Sequence, residues 1–193
     1  VGMNPIDMQN IKSRTSYVVG TPKNMGGSGD PSIVTAYGVY MGIKGSAKFC
    51  WNNDNLSGKK VFIQGVGKVG GYLLEYLHKE GCELIIHDID HSKLEKISKK
   101  YNVKIVQEDQ MFKEKFDIYA PCALGSTLND KNITILSCKI VAGAANNQLE
   151  KEGKHDLDLK NKGIIYAPDF LINAGGLINV YSELKNWNQE KTL

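Results

Sequence analysis

The strongest constraint on this chain is the run Gly65-Val66-Gly67-Lys68-Val69-Gly70, a G-x-G-x-x-G pattern between an apolar stretch, Lys60 to Gln64 (KVFIQ), and an amphipathic one, Lys68 to Lys79. The six letters alone are a weak signal, and their context sharpens them. A second apolar stretch, Cys82 to His87 (CELIIH), follows, and Asp88 stands at its end, 23 residues after Gly65. A strand, a glycine turn, a helix and a second strand ending in Asp imply a dinucleotide site. Gly65 permits the tight turn, Gly67 lets the backbone approach a pyrophosphate, and Gly70 lets helix and strand pack closely. Lys68 and Val69 open the helix whose free N–H groups and partial positive charge face the phosphates. Asp88 would accept hydrogen bonds from the adenosine ribose hydroxyls. With Asp90 it would repel a 2′-phosphate, which favours NAD over NADP, although His87 and Lys93 soften that exclusion. The competing reading is an ordinary glycine-rich turn followed by an Asp that caps the next helix.

The same alternation runs through the rest of the chain. Asn4-Pro5 caps a short helix, residues 20–31 (GTPKNMGGSGDP) form a hinge or ligand loop, and Asp30-Pro31 opens a long helix from Ser32 to about Trp51. Gly38, Gly42 and Gly45 weaken that helix by about 1 kcal/mol each relative to Ala, so close packing is expected to explain them. After the first β-α-β unit, a helix is expected from about His91 to Tyr101. Strands follow at 103–106, 116–120, 139–142 and 163–167, with a helix over 156–162 and a closing helix from about Asn173 to Trp187. Short β-branched strands alternating with helices give an α/β fold of Rossmann type, doubly wound around a mainly parallel sheet. The expected organisation is an N-terminal helix and loop over 1–30, a dinucleotide-binding domain over 31–172, and a C-terminal helix over 173–193.

Composition narrows the function classes. The 193 residues are 41% hydrophobic and 23% charged, enough for one sizeable core. A formal charge of +3 is spread along the chain, and Arg14 is the sole arginine among 24 basic residues, which argues against a nucleic-acid surface. Cys50, Cys82, Cys122 and Cys138 form no Cys-x-x-Cys pair and read as free thiols in a reducing compartment. His87 and His91 fall at a strand end and a helix start, so they are not expected to share a metal-binding face. No apolar run approaches the roughly 18 residues of a membrane span, and the N-terminus has no signal-peptide pattern. A cytoplasmic location and small-molecule substrates are expected, with no metal, membrane or nucleic-acid partner.

Two further segments should end at the ligand-binding edge of the sheet: Pro121-Cys122-Ala123-Leu124-Gly125 and Gly143-Ala144-Ala145-Asn146-Asn147-Gln148. Their small residues allow close backbone approach, and the amides could pair with a carboxamide. A helix-capping turn would also explain the amides. Cys122 has no evident base nearby and reads as a small buried hydrophobe.

Taken with GGSGDPSIVTAYGVYMGIKGSAK at 26–48, LSGKKVFIQGVGKVGGYL at 56–73, FDIYAPCALGSTLND at 116–130, IVAGAANNQL at 140–149 and IIYAPDFLINAGGLINV at 164–180, the chain resembles a known family. These are the amino-acid dehydrogenases acting on glutamate, leucine, phenylalanine or valine, and the leucine-acting members are the most similar. Such enzymes oxidise an L-amino acid to a 2-oxo acid and ammonia, passing hydride to NAD. The resemblance implies that Gly65, Gly67 and Gly70 hold the pyrophosphate and Asp88 the ribose. It further implies that Cys122 and Ala123 line the cofactor groove, Asn146 meets the nicotinamide ribose and Thr35 the carboxamide. Asn173 would hold substrate, and Leu177 and Val180, one helical turn apart, would form an aliphatic wall suited to a branched side chain. Ordinary core packing is the alternative for that pair.

The family's substrate domain carries two lysines and an aspartate in a Thr-x-x-Asp-Val/Met-Gly motif. Val1-Gly2 resembles the end of that motif, so the catalytic lysines and aspartate are expected before Val1, with no catalytic residue of this kind in the chain itself. On this reading the chain binds NAD, is inactive alone, and belongs to a homo-oligomer when full length. A non-catalytic dinucleotide-binding module or sensor is the rival from another class, and a small NAD-dependent dehydrogenase complete in 193 residues is a third reading.

Overall fold

A computed structural model describes residues 2–185 and Trp187. Six strands form one sheet: β1 Lys60–Gln64, β2 Glu83–His87, β3 Lys104–Ile105, β4 Ile118–Pro121, β5 Ile140–Val141 and β6 Ile165–Tyr166. Their order is β3-β2-β1-β4-β5-β6, and every neighbouring pair is parallel. The order reverses between β1 and β4, which is where a doubly wound sheet opens a crevice for ligands. The Rossmann-type expectation holds.

The sheet is buried on both faces because its strands are apolar at consecutive positions. Val61 and Ile63 of β1 pack with Val39 and Ile43 of α2 (Ser32–Trp51) and with Leu73 and Leu77 of α3 (Lys68–Lys79). Phe62 points the other way, into a cluster with Tyr119, Ile133 of α5 (Asp130–Ile135) and Leu159 of α6 (His155–Asn161). The rings of Phe62 and Tyr119 stack at 5.5 Å, and Phe116 joins them at 5.3 Å from Phe62. The remaining helices are α1 Pro5–Lys12, α4 His91–Tyr101, α7 Asp169–Ile172 and α8 Gly175–Lys185.

Local signals account for most boundaries. Asn4 caps α1, its side chain accepting from the Ile6 and Asp7 N–H groups while Asp7 accepts from the Asn4 N–H at 2.8 Å, a complete capping box. The later strands are shorter than the sequence suggests, yet pairing continues past their ends, as from Lys139 N–H to the Asp117 carbonyl and from Ala142 N–H to the Tyr119 carbonyl, both 2.9 Å. Two short helices, α5 and α7, were not expected. The first is capped by Asn129, which accepts from Asn132 N–H at 3.0 Å. The closing helix starts at Gly175 rather than Asn173, because Asn173 leaves the helical region (φ −94°, ψ 6°) at the end of α7. Of its expected end, Asn186 lies outside the described residues, as do Val1 and residues 188–193.

The glycines of α2 have three different surroundings. A Cβ at Gly42 would lie 2.5 Å from Ile172 Cγ1, so this glycine lets α7 approach α2, whereas one at Gly38 would make ordinary contact, 3.5 Å from the Ile172 carbonyl. Gly45 faces open space, with no atom within 4 Å of its Cβ position. Gly45→Ala is therefore expected to raise stability by about 0.5–1 kcal/mol, and Gly42→Ala to lower it by about 1–3 kcal/mol through overpacking. Chemical denaturation of the two variants checks both signs.

Candidate functional site

The carboxyl ends of β1, β2 and β4 meet where Gln64 lies opposite His87 on one side and Pro121 on the other. From there the chain turns into α3 through three glycines with three different tasks. Gly65 has φ +92°, donates to the His87 carbonyl at 2.7 Å, and would place a Cβ 2.9 Å from Ala123 N. A Cβ on Gly70 would sit 2.0 Å from the Gly65 carbonyl oxygen and 3.3 Å from Cys122 Cβ. Gly67, by contrast, faces open space. It is also the N-cap of α3, and no side chain caps the helix there. The first-turn N–H groups, including those of Lys68 and Val69, have no intrahelical acceptors and are available to an anion at that opening. A side chain at position 67 would fill this cradle, so the residues present fit a bound pyrophosphate.

Asp88 closes the other end of this turn. Its Oδ2 accepts from Val66 N–H at 2.8 Å and its Oδ1 from Asp90 N–H at 3.0 Å, which fixes the carboxylate beside the glycine turn with lone pairs to spare. The Lys68 ammonium turns away toward the 20–31 loop, pairing with Asp30 Oδ2 at 3.2 Å and donating to the Met3 carbonyl at 3.3 Å. Lys68 thus offers the site its backbone rather than its charge.

At β4 and β5 the sheet edge is lined by small residues. Cys122 donates its N–H to the Gln64 carbonyl at 2.7 Å, and burial pushes its thiol up to about 12, the value of an unreactive cysteine. Beyond β5, Asn173 Nδ2 donates to Asn146 Oδ1 at 2.6 Å and to the Ala144 carbonyl at 3.2 Å. Thr35 lies alongside, its hydroxyl donating to the Pro31 carbonyl at 2.9 Å. A Cβ on Gly175 would be 3.2 Å from Thr35 Cα, and one on Gly176 would be 2.5 Å from Thr35 Oγ1. The Asn-Ala-Gly-Gly run therefore brings Asn173 and Thr35 to one edge. Gln148 does not join them: it is fully buried and donates to the Gly143 and Ala145 carbonyls at 2.8 and 2.9 Å, bracing the loop. Its amide cannot reach a carboxamide outside. On α8, Leu177 is 71% exposed, and Val180 is half-buried with Cγ1 3.8 Å from the Cβ position of Gly20.

Sequence reasoning missed Glu183. Its carboxylate, 6% exposed, accepts from Gly20 N–H at 2.7 Å, Ser28 N–H at 2.9 Å, Ser28 Oγ at 3.0 Å and Thr21 Oγ1 at 3.2 Å, with Lys12 Nζ at 3.3 Å. The available signal was polar spacing on α8, where Asn179, Ser182 and Glu183 face inward against a loop of Gly, Ser and Thr. Two other groupings are structural. Asp130, His155 and Asp158 lie close together, but the Lys154 ammonium pairs with both carboxylates. His155 Nδ1 accepts from Lys151 N–H, which leaves Nε2 to donate to Asp130 at 3.1 Å. A cleft of about 550 Å³ lies at the opposite sheet edge, where Lys162 is spent on the Ile133, Thr134 and Leu136 carbonyls and Lys60 pairs with Glu83. His87 Nδ1 bonds the Val106 carbonyl at 3.0 Å, and His91 begins α4, so the two share no helical face.

Burial works to raise both Asp30 and Glu183, but hydrogen bonds outweigh it. Those from Ser32 and Lys68 hold Asp30 below its ordinary 3.8, and those from Ser28, Gly20 and Lys12 hold Glu183 below its ordinary 4.5. A lowered folded value means that each carboxylate's stabilisation is complete above its unfolded value and is lost as pH falls through the folded one. Acid unfolding followed by circular dichroism is expected to steepen below pH 4.5, and less so in Glu183→Gln.

Comparisons with known proteins identify the relatives of the chain. The family model described as Glutamate/Leucine/Phenylalanine/Valine dehydrogenase matches residues 26–88 and 82–192. Leucine dehydrogenase of Thermoactinomyces intermedius is 47% identical over 193 residues, covering 100% of this chain and 52% of that protein. Leucine dehydrogenase of Bacillus subtilis (strain 168) is also 47% identical, over 100% of this chain and 53% of that protein. The crystal structure of L-tryptophan dehydrogenase from Nostoc punctiforme superposes with a TM-score of 0.86 at 41% identity, covering 100% of this chain and 54% of that one. The chain spans about half the length of the curated relatives it matches. With its parallel sheet, glycine turn and paired asparagines, it belongs to the Glutamate/Leucine/Phenylalanine/Valine dehydrogenase family.

Proposed function

We propose that this chain is the cofactor-binding part of an NAD-dependent dehydrogenase that converts a branched-chain L-amino acid to its 2-oxo acid and ammonia. The observation that carries the reading is the open cradle at Gly67, bounded by Asp88 held on Val66 N–H, with the Asn146–Asn173 pair on the same carboxyl edge. The first-turn N–H groups of α3 would hold the pyrophosphate, and Asp88 the adenosine ribose. Asp88 and the neighbouring Asp90 would oppose a 2′-phosphate, which favours NAD over NADP. Cys122 and Ala123 would line the groove, and Asn146 and Thr35 would orient the nicotinamide end. When bound, NAD supplies the acceptor for the hydride leaving the substrate α-carbon.

Asn173 would hold the amino acid close to Asn146, and Leu177 and Val180 would supply the aliphatic wall. A non-catalytic dinucleotide sensor would have no use for that asparagine pair or the wall. The proton leaving the amine needs a base, and among the described residues no lysine is hydrogen-bonded to Asn146 or Asn173. From the family resemblance we assign the carboxylate-binding lysine, the lysine base and an aspartate to a substrate domain outside these residues, with 31–172 as the NAD domain. On this division residues 1–30 and 173–193 adjoin the substrate domain, in keeping with the exposed apolar side chains Ile6, Tyr17, Leu177 and Leu184. A homo-oligomer and a cytoplasmic location complete the reading. Among the described residues no helix is long and apolar enough to cross a membrane.

NADH fluorescence titration and leucine-dependent NADH formation test the proposal. The chain alone is expected to bind NADH without turnover, and the full-length polypeptide to oxidise leucine in preference to glutamate. Gly67→Ala should fold normally and lose NADH affinity by about tenfold or more, a cost of roughly 1.4 kcal/mol. Absence of NADH binding by the unaltered chain would overturn the cofactor assignment, and turnover by the chain alone would overturn the division of labour.

A further inference from the structure

Residues 20–29 form a closed loop between α1 and α2. It is entered at Gly20 with φ +79° and left at Gly29 with φ +76°, and Gly29 N–H donates to the Thr21 carbonyl at 2.9 Å across its base. A Cβ on Gly27 would lie 2.1 Å from that same carbonyl oxygen, so the loop has a single compact path. Its charge partner is Glu183, whose carboxylate takes the N–H groups of Gly20 and Ser28, the hydroxyls of Thr21 and Ser28 and, from α1, the Lys12 ammonium. Five donors converge on an anion with about four lone-pair positions, which leaves it no freedom to swing.

This clamp sits between two parts of the proposed site. On one side, Glu183 lies one turn along α8 from Val180, whose Cγ1 is 3.8 Å from the Cβ position of the clamped Gly20. On the other, the loop runs directly into Asp30, which is paired to Lys68 at the mouth of the cradle, and then into the turn of α2 that bears Thr35. Neither hydrophobic core includes any residue of 20–29 or of α8. The contact therefore lies outside the packing of the sheet, while the spacing between Val180 and the loop depends on it.

We propose that Glu183 is a positioning residue for substrate recognition: by holding Gly20 and Ser28 it sets the distance of the 20–29 loop from the Val180 face of α8, and so the shape of the amino-acid side-chain pocket. The proposal rests on the dehydrogenase reading above. It assigns to Glu183 no contact with substrate or cofactor and no proton transfer.

Glu183→Gln keeps the size of the side chain but turns an amide N–H₂ toward the donors of Gly20 or Ser28. Measured in the full-length polypeptide, it is expected to raise the KM for leucine about tenfold, within the range that side-chain pocket contacts are worth. The NADH dissociation constant should move by less than about twofold, because each tenfold step needs about 1.4 kcal/mol that the cradle does not lose. The preference for leucine over alanine should fall with it, as a loosened wall discriminates less. Ser28→Ala removes one hydroxyl donor and leaves the backbone intact. It should shift the leucine KM in the same direction by about threefold, the worth of one modest hydrogen bond, and it carries the test if Glu183→Gln does not fold. An unchanged leucine KM and selectivity in the folded variants, beside an active unaltered enzyme, would overturn the positioning role alone. NADH affinity falling as far as leucine affinity would overturn it as well, by marking a general structural loss. No leucine-dependent NADH formation in the unaltered polypeptide would instead remove the dehydrogenase reading on which it rests.

Discussion

The approach of Gly70 to the carbonyl of Gly65 is the contact on which the arrangement of this molecule depends. It lets α3 begin directly above β1, so that the helix N-terminus opens at the carboxyl edge where the strand order reverses. It also draws Cys122 against Gly70 and Ala123 against Gly65, setting the depth of the groove between β1 and β4. A methyl group at Gly70 would meet the Gly65 carbonyl oxygen, and one at Gly65 would meet the Cβ and the backbone of Ala123. Neither can be accommodated by a rotamer change, and the consequence would spread along both strands.

A second layer of constraint is electrostatic and lies outside the core. Asp30 with Lys68, and Glu183 with the 20–29 loop, tie the segments before α2 to α3 and α8. Glu183 is the more demanding of the two because its carboxylate is almost wholly buried and only one of its partners, Lys12, carries charge. Backbone N–H groups supply much of its compensation, so the loop can hold the anion only in its closed form. The proposed pocket wall and the cofactor cradle are thereby connected through a single short loop.

Much of the fold was legible because its signals are local. Ser32–Trp51, Lys60–Gln64, Lys68–Lys79 and His91–Tyr101 have the expected bounds, each marked by period, cap or glycine. The short helices α5 and α7 were not legible: with six and four residues they are too brief for a periodic apolar face, and α7 follows Pro168 without a side-chain cap. Gln148 looked like a ligand-facing amide beside Asn146, and only its burial against the Gly143 and Ala145 carbonyls separates the two. Glu183 was invisible as a hub because its partners on the loop lie at least 155 residues away.

The sequence by itself determined the parallel α/β sheet, the glycine turn with Asp88, and the family motifs. These are written in spacings of a few residues, and the backbone reads them without reference to distant segments. The tertiary structure decided which polar residues stand together: Asn146 with Asn173 across 27 positions, and Gly20 with Glu183 across 163. Such contacts depend on how helices and loops pack over the sheet edge. Their hydrogen bonds form only after burial has excluded the water that would otherwise compete for the same donors and acceptors.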